Sequence, residues 1–226
     1  MPENNDFYPQ VMQRYLTQPP SPGEQTEFII ALLRVFEEKV FNAREFDSFP
    51  VELIVDYIQR THVYYLEKKL PEIEQSILLL SGHYDSRHPI LAALQNFFHA
   101  YVKDLSEHIR AEETLLLPYI HSLCEAGRDT SGFSRFLLHR GEYSVERFLS
   151  AHHDTEDELK DIRKTIRLYE PPITNASLYR ILLTQLQVFE QDLCVHAHIE
   201  EEVLIPKAQK MEKELHSQLQ SLSPLN

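Results

Sequence analysis

Apolar residues recur every three to four positions along most of this chain, the spacing of one helical face, and every-second-residue alternation is nearly absent. Five glycines in 226 residues and few β-branched runs leave little room for strands. Prolines and polar clusters punctuate the pattern at Pro19-Pro20-Ser21-Pro22-Gly23, Asp47-Ser48-Phe49-Pro50, His88-Pro89, 127–132 and Glu170-Pro171-Pro172. Between them the periodicity predicts helices over 24–43, 50–82, 89–123, 142–169 and 175–215. Ser48 followed by Pro50 and Glu52 is a helix-start signature. The expected fold is all-α: an antiparallel up-down four-helix bundle over 50–216, an arm with an additional N-terminal helix over 1–49, and a tail at 217–226. The additional helix packs on the bundle or offers a surface for a homodimer.

Two segments of this pattern nearly repeat each other. Asp104-Leu105-x-x-His108-x-x-x-Glu112-Glu113-x-Leu115-Leu116-Leu117-Pro118 is matched by Asp192-Leu193-x-x-His196-x-x-x-Glu200-Glu201-x-Val203-Leu204-Ile205-Pro206. Residues four apart stand one above the other on a helix, so each copy aims an imidazole and a carboxylate at one place. At 100° per residue, Leu105, Leu115, Phe189, Leu193 and Val203 fall within roughly 60° of the neighbouring His, so these polar groups point into the apolar stripe. Buried alone they would be costly. Two such helices face to face would put two His and two Glu in one cavity, which a pair of metal ions satisfies.

The repeats lie on the second and fourth bundle helices, so partners are sought on the first and third. His62 sits within about 40° of Val55, Ile58, Leu66 and Ile73 on its wheel. His152 sits within about 40° of Val145, Phe148, Leu159 and Ile166, whereas His153 is turned about 100° away. Spacing supports both choices: positions 62 and 108 are 46 apart and positions 152 and 196 are 44 apart, each one helix down and one back. His83, at roughly 31 Å from His62 along a continuous helix, belongs to the far end. His198 with Glu202 repeats the H-x-x-x-E spacing but is turned about 200° from His196, which places the pair on the surface.

The expected metal set is therefore His62, His108, Glu112, His152, His196 and Glu200. If each Glu bridges two six-coordinate ions, the protein fills eight of twelve positions, an oxo or hydroxo bridge fills two, and about one per ion stays open for a small ligand. Mixed imidazole and carboxylate donors suit two iron ions first and manganese second; zinc prefers four ligands without bridges. Asp104 and Asp192, one turn before each repeat His, either orient its imidazole or are ordinary exposed acids. Glu113 and Glu201 read as surface. Tyr64, Tyr65 and Tyr101 read as core packing, or as the lining of an access path.

Charge narrows the partners. A formal charge of −13 without a Lys/Arg cluster excludes nucleic acid or an anionic membrane as the main partner. Cys124 and Cys194 form no CxxC, so neither a disulfide framework nor a zinc knuckle is offered. The N-terminus lacks a basic region followed by an apolar run, and no stretch of about 18 apolar residues occurs, so a cytoplasmic protein is expected.

From His62 to Pro206 the chain resembles the hemerythrin-like domains, and within them the bacterial repair-of-iron-centres di-iron proteins. The resemblance rests on His108-Ile109-Arg110-Ala111-Glu112-Glu113 closed by Pro118, on His196 through Pro206, and on His152 followed by Ile162-Arg163 and Tyr169-Glu170-Pro171-Pro172. It implies iron ligands at His62, His108, His152 and His196 and bridging carboxylates at Glu112 and Glu200. It further implies repair of iron–sulfur clusters, by iron donation, under nitrosative or oxidative stress, with apo iron–sulfur proteins and nitric oxide or oxygen as partners. The chain departs from that family in having no Cys within residues 1–50, Ala151 where an acidic residue usually precedes the third His, and a longer connection over 124–145. Reversible binding or sensing of oxygen or nitric oxide, and reduction of nitric oxide or peroxide, share the same ligands and stay open beside iron donation, as does a purely structural metal.

Overall fold

A computed structural model describes residues 23–83, 89–128, 144–151 and 176–222, and every regular element among them is helical. Helix α1 (Glu24–Glu38) starts at Gly23, whose φ of 87° suits a residue without a Cβ, and ends at Lys39 in the left-handed region, its N–H donating to the Val35 carbonyl. A 3₁₀ turn, Ala43–Phe46, follows, capped by the Asn42 side chain, which accepts the Arg44 N–H at 3.3 Å. Three long rods come next in part: α2 over 51–81, α3 over 89–128 and α5 over 176–222. Between the last two lies α4 (Val145–Ala151), started by Ser144, whose hydroxyl accepts the Arg147 N–H. The rest of the predicted third bundle helix, His152 included, lies outside the described residues.

The long rods are not α-helical throughout. Each contains a five-residue π segment: Tyr65–Lys69 in α2, Glu112–Leu116 in α3 and Glu200–Leu204 in α5. The N–H groups of Leu70, Leu117 and Ile205 close these turns on the carbonyls of Tyr65, Glu112 and Glu200. In all three the next residue is a proline: Pro71, Pro118 and Pro206. Proline lacks an N–H and clashes with the carbonyl four residues back. A wider turn moves the preceding carbonyls off the α ladder, so the helix passes the ring without breaking. In α3 the Thr114 hydroxyl donates to the Arg110 carbonyl at 2.7 Å.

These segments correct the helical wheel. Leu105, Phe189, Leu193 and Val203 are buried as predicted, but Leu66 and Leu115 are 37% and 50% exposed. Leu115 lies four residues into a π segment, where each residue advances by less than 100° and a wheel drawn at that angle over-rotates. Leu70 and Leu116 are buried where Leu66 and Leu115 had been expected.

By its contacts the chain divides into two compact units. The described part of the first comprises 60–83, 89–109 and 176–196. Its core joins Tyr65 and Ile73 of α2, Phe98 and Tyr101 of α3, and Leu182, Leu186, Phe189 and Leu193 of α5. The described part of the second comprises 23–59, 110–128, 144–151 and 197–222. There Phe28 of α1 meets Phe46, Phe49 and Tyr57 edge to face at 5.7, 5.1 and 5.6 Å, so the apolar side of α1 is buried within the unit. Lys207 of α5 reaches the turn after the 3₁₀ segment and donates to the carbonyls of Asp47 at 2.7 Å and Phe49 at 3.0 Å. Burial pushes its ammonium below the ordinary lysine pKa, partly countered by the Asp47 carboxylate. No described helix is long and apolar enough to cross a membrane.

Candidate metal centre

The polar residues that interrupt the apolar stripes collect beside the π segments. On α3 and α5 the H-x-x-x-E spacing ends on the first π residue, Glu112 or Glu200, one turn after His108 or His196. On α2, His62 lies three residues before the first π residue, Tyr65. Within the first unit His62 and His196 approach each other with ring centroids 5.0 Å apart and planes tilted by 54°. The Tyr65 ring packs edge to face on His196 at 5.6 Å and on Phe189 at 5.1 Å.

One donor atom each of His62, Glu112 and His196 lies within 4.8 Å of the other two. Metal bonds of about 2.0–2.2 Å hold opposite donors of one ion about 4 Å apart, so a small contraction would seat all three on a single cation. Their burial argues the same way. His62, Glu112 and His196 are 1%, 0% and 6% exposed, and Glu200 is 3% exposed. A carboxylate sealed among apolar side chains costs several kcal/mol unless a positive group answers it. The imidazoles and carboxylates answer one another in part, and a divalent or trivalent cation at their meeting point answers all of them. Nitrogen and oxygen donors without a thiolate fit iron or manganese.

Three of the six expected ligands are thus brought together. Glu200 is buried one turn beyond His196, His108 is half-buried one turn before Glu112, and His152 lies outside the described residues. The two repeat copies differ in their preceding acid. Asp192 is 1% exposed, whereas Asp104 stands in solvent, so only Asp192 is placed to support an imidazole from within the core. Glu113 is half-buried and accepts from the Gln59 side-chain amide at 3.1 Å, and Glu201 is exposed. The His198–Glu202 pair, 3.7 Å apart, is largely exposed, with Phe41 against the His198 ring, in keeping with a surface position. His83 is exposed, its Nδ1 on the Leu79 carbonyl. Sequence reading missed the π turns, although a Leu-Pro or Ile-Pro step inside an otherwise helical pattern marks each of them.

Comparison with known proteins agrees with this geometry. A family model described as the hemerythrin HHE cation binding domain matches residues 65–208, beginning three residues after His62. An iron-sulfur cluster repair protein ScdA of Staphylococcus epidermidis is 23% identical over 157 residues, 70% of this chain and 66% of that protein. The ScdA protein of Staphylococcus haemolyticus is 20% identical over 154 residues, 68% of this chain and 65% of that protein. The chain therefore spans just under two thirds of the length of these relatives.

Proposed function

Because this chain belongs to the hemerythrin HHE cation-binding family and has its all-α helical-bundle fold, we propose that it is a di-iron protein that restores damaged iron–sulfur clusters by giving up iron. The observation that carries this reading is the convergence of His62, Glu112 and His196, all buried, within 4.8 Å. His62 and His196, ring against ring, would hold one iron, and His108, His152, Glu112 and Glu200 would complete the ligand set of the pair. The names of the relatives, iron-sulfur cluster repair proteins, support cluster repair as the setting.

Iron bound here supplies open coordination positions for a small ligand such as nitric oxide or oxygen, and one-electron redox chemistry. The residues decide how firmly it is kept. Single imidazoles and carboxylates would hold it by ligands that can be exchanged one at a time. Among the described members of the set His108 is half-buried and would be the ligand an incoming acceptor reaches first, whereas His62 and His196 are sealed by the aromatic core. Response to nitrosative or oxidative stress is the setting in which clusters lose iron, and it is the role this chemistry suits.

The test is transfer. Reduced, iron-loaded protein mixed with an apo iron–sulfur protein should lose iron as the acceptor gains its cluster absorption. Retention of both irons beside a competent acceptor would overturn donation and leave ligand binding as the function of the same site.

A further inference from the structure

The three π segments share one layout. A five-residue wide turn opens on a buried residue and is followed, six positions after that residue, by a proline: Glu112 and Pro118 in α3, Glu200 and Pro206 in α5, Tyr65 and Pro71 in α2. The opening residue is 0%, 3% and 1% exposed in turn. In α3 and α5 that position carries the carboxylate of the metal set. In α2 it carries a phenol. Tyr65 therefore holds the place in its helix that the two glutamates hold in theirs.

Its surroundings agree. The ring is wedged between Phe189 and His196, at 5.1 and 5.6 Å, and His196 is the residue that faces His62. Tyr65 is thus in direct ring contact with one of the two imidazoles, while Phe98 and Tyr101 pack on each other in the same core. A phenol offers an O–H donor on a rigid ring.

We propose that Tyr65 is a ligand-binding residue: its hydroxyl donates a hydrogen bond to a small anionic or oxygen-bearing ligand held at the His62/His196 half of the metal centre. The inference rests on the metal reading above. A carboxylate at this position would fill a coordination place; a neutral phenol leaves it open and stabilises what enters. It thereby selects for ligands that accept a hydrogen bond, and water or an apolar gas gains less from it.

Azide is a suitable probe, being small, anionic and a hydrogen-bond acceptor whose band with ferric iron reports binding optically. Wild-type protein, Tyr65→Phe and Tyr101→Phe would each be iron-loaded, assayed for iron, and titrated with azide. Tyr65→Phe is expected to keep both irons and the wild-type melting temperature while binding azide about tenfold more weakly, the scale of one hydrogen bond to a charged group. Tyr101→Phe, which removes a buried hydroxyl from the same core, should match the wild type. A Tyr65→Phe protein with both irons and unchanged azide affinity overturns the role of Tyr65 and leaves the metal centre standing. Loss of iron from that variant also overturns it, because the phenol would then act on the metal rather than on the ligand. Wild-type protein that takes up no iron overturns both readings.

Discussion

His62 and His196, 134 positions apart in the sequence, stand ring to ring with centroids 5.0 Å apart, and Glu112 brings a carboxylate oxygen within 4.8 Å of both. Three rods distant in sequence contribute to that arrangement, and none holds it alone. The consequence for iron binding is direct. Glu112→Ala is expected to lower bound iron from about two per chain to below one, since a bridge serves both ions. Metal analysis beside circular dichroism checks this; a variant that folds and keeps both irons contradicts the assignment of Glu112.

The buried Asp192 and the exposed Asp104 separate two roles that the repeated sequence cannot distinguish. Asp192→Asn should weaken iron retention by roughly 10- to 100-fold, the usual effect of removing a carboxylate behind a ligand imidazole. Asp104→Asn should leave it unchanged. Competition with a chelator measures both, and equal behaviour of the two variants would remove the distinction.

Pro118 ties helix geometry to the centre. Replacing it with alanine restores an N–H and removes the ring that the π segment accommodates. The helix is then free to relax towards α geometry, turning Glu112 away from His62 and His196. Pro118→Ala is expected to raise the melting temperature of the iron-free protein, alanine being the better helix former. The same variant should lose iron to a chelator several-fold faster. Faster loss without stabilisation, or the reverse, would show that proline and π turn are independent.

Lys207 gives a prediction for stability. Its ammonium donates to the Asp47 and Phe49 carbonyls, so Lys207→Met removes two hydrogen bonds and should cost about 1–3 kcal/mol in a denaturant titration. Because burial lowers the Lys207 pKa, the unfolded chain holds this proton more tightly than the folded one. The stability lost to that mismatch is greatest below the lowered pKa and is regained as pH rises towards the ordinary lysine value of 10.5. The advantage of wild type over Lys207→Met should therefore grow through the alkaline window below that value. A flat or shrinking difference refutes the shift.

The helices were legible because apolar spacing and proline punctuation speak locally. The repeated His and Glu were legible because residues four apart share a face whatever the rest of the chain does. Leu115 was misread for the same reason that the π turns were missed: a wheel assumes one angle per residue, and a wide turn breaks that assumption within five residues. The difference between Asp104 and Asp192 was out of reach, since it arises from what packs over each copy rather than from the copy itself. The place of Tyr65 needed both kinds of information. Pro71, read over as part of one continuous helix, marks the position in the sequence, and the buried ring against His196 gives it a meaning.

A widened helical turn is also a mechanical weak point, for its hydrogen bonds are out of step with those on either side. Each of the three wide turns lies within one turn of a histidine of the proposed centre, so thermal opening of the backbone should begin beside that site. Amide exchange at 65–69, 112–116 and 200–204 would then quicken as iron leaves and slow as it returns, making backbone protection there a gauge of how full the protein is.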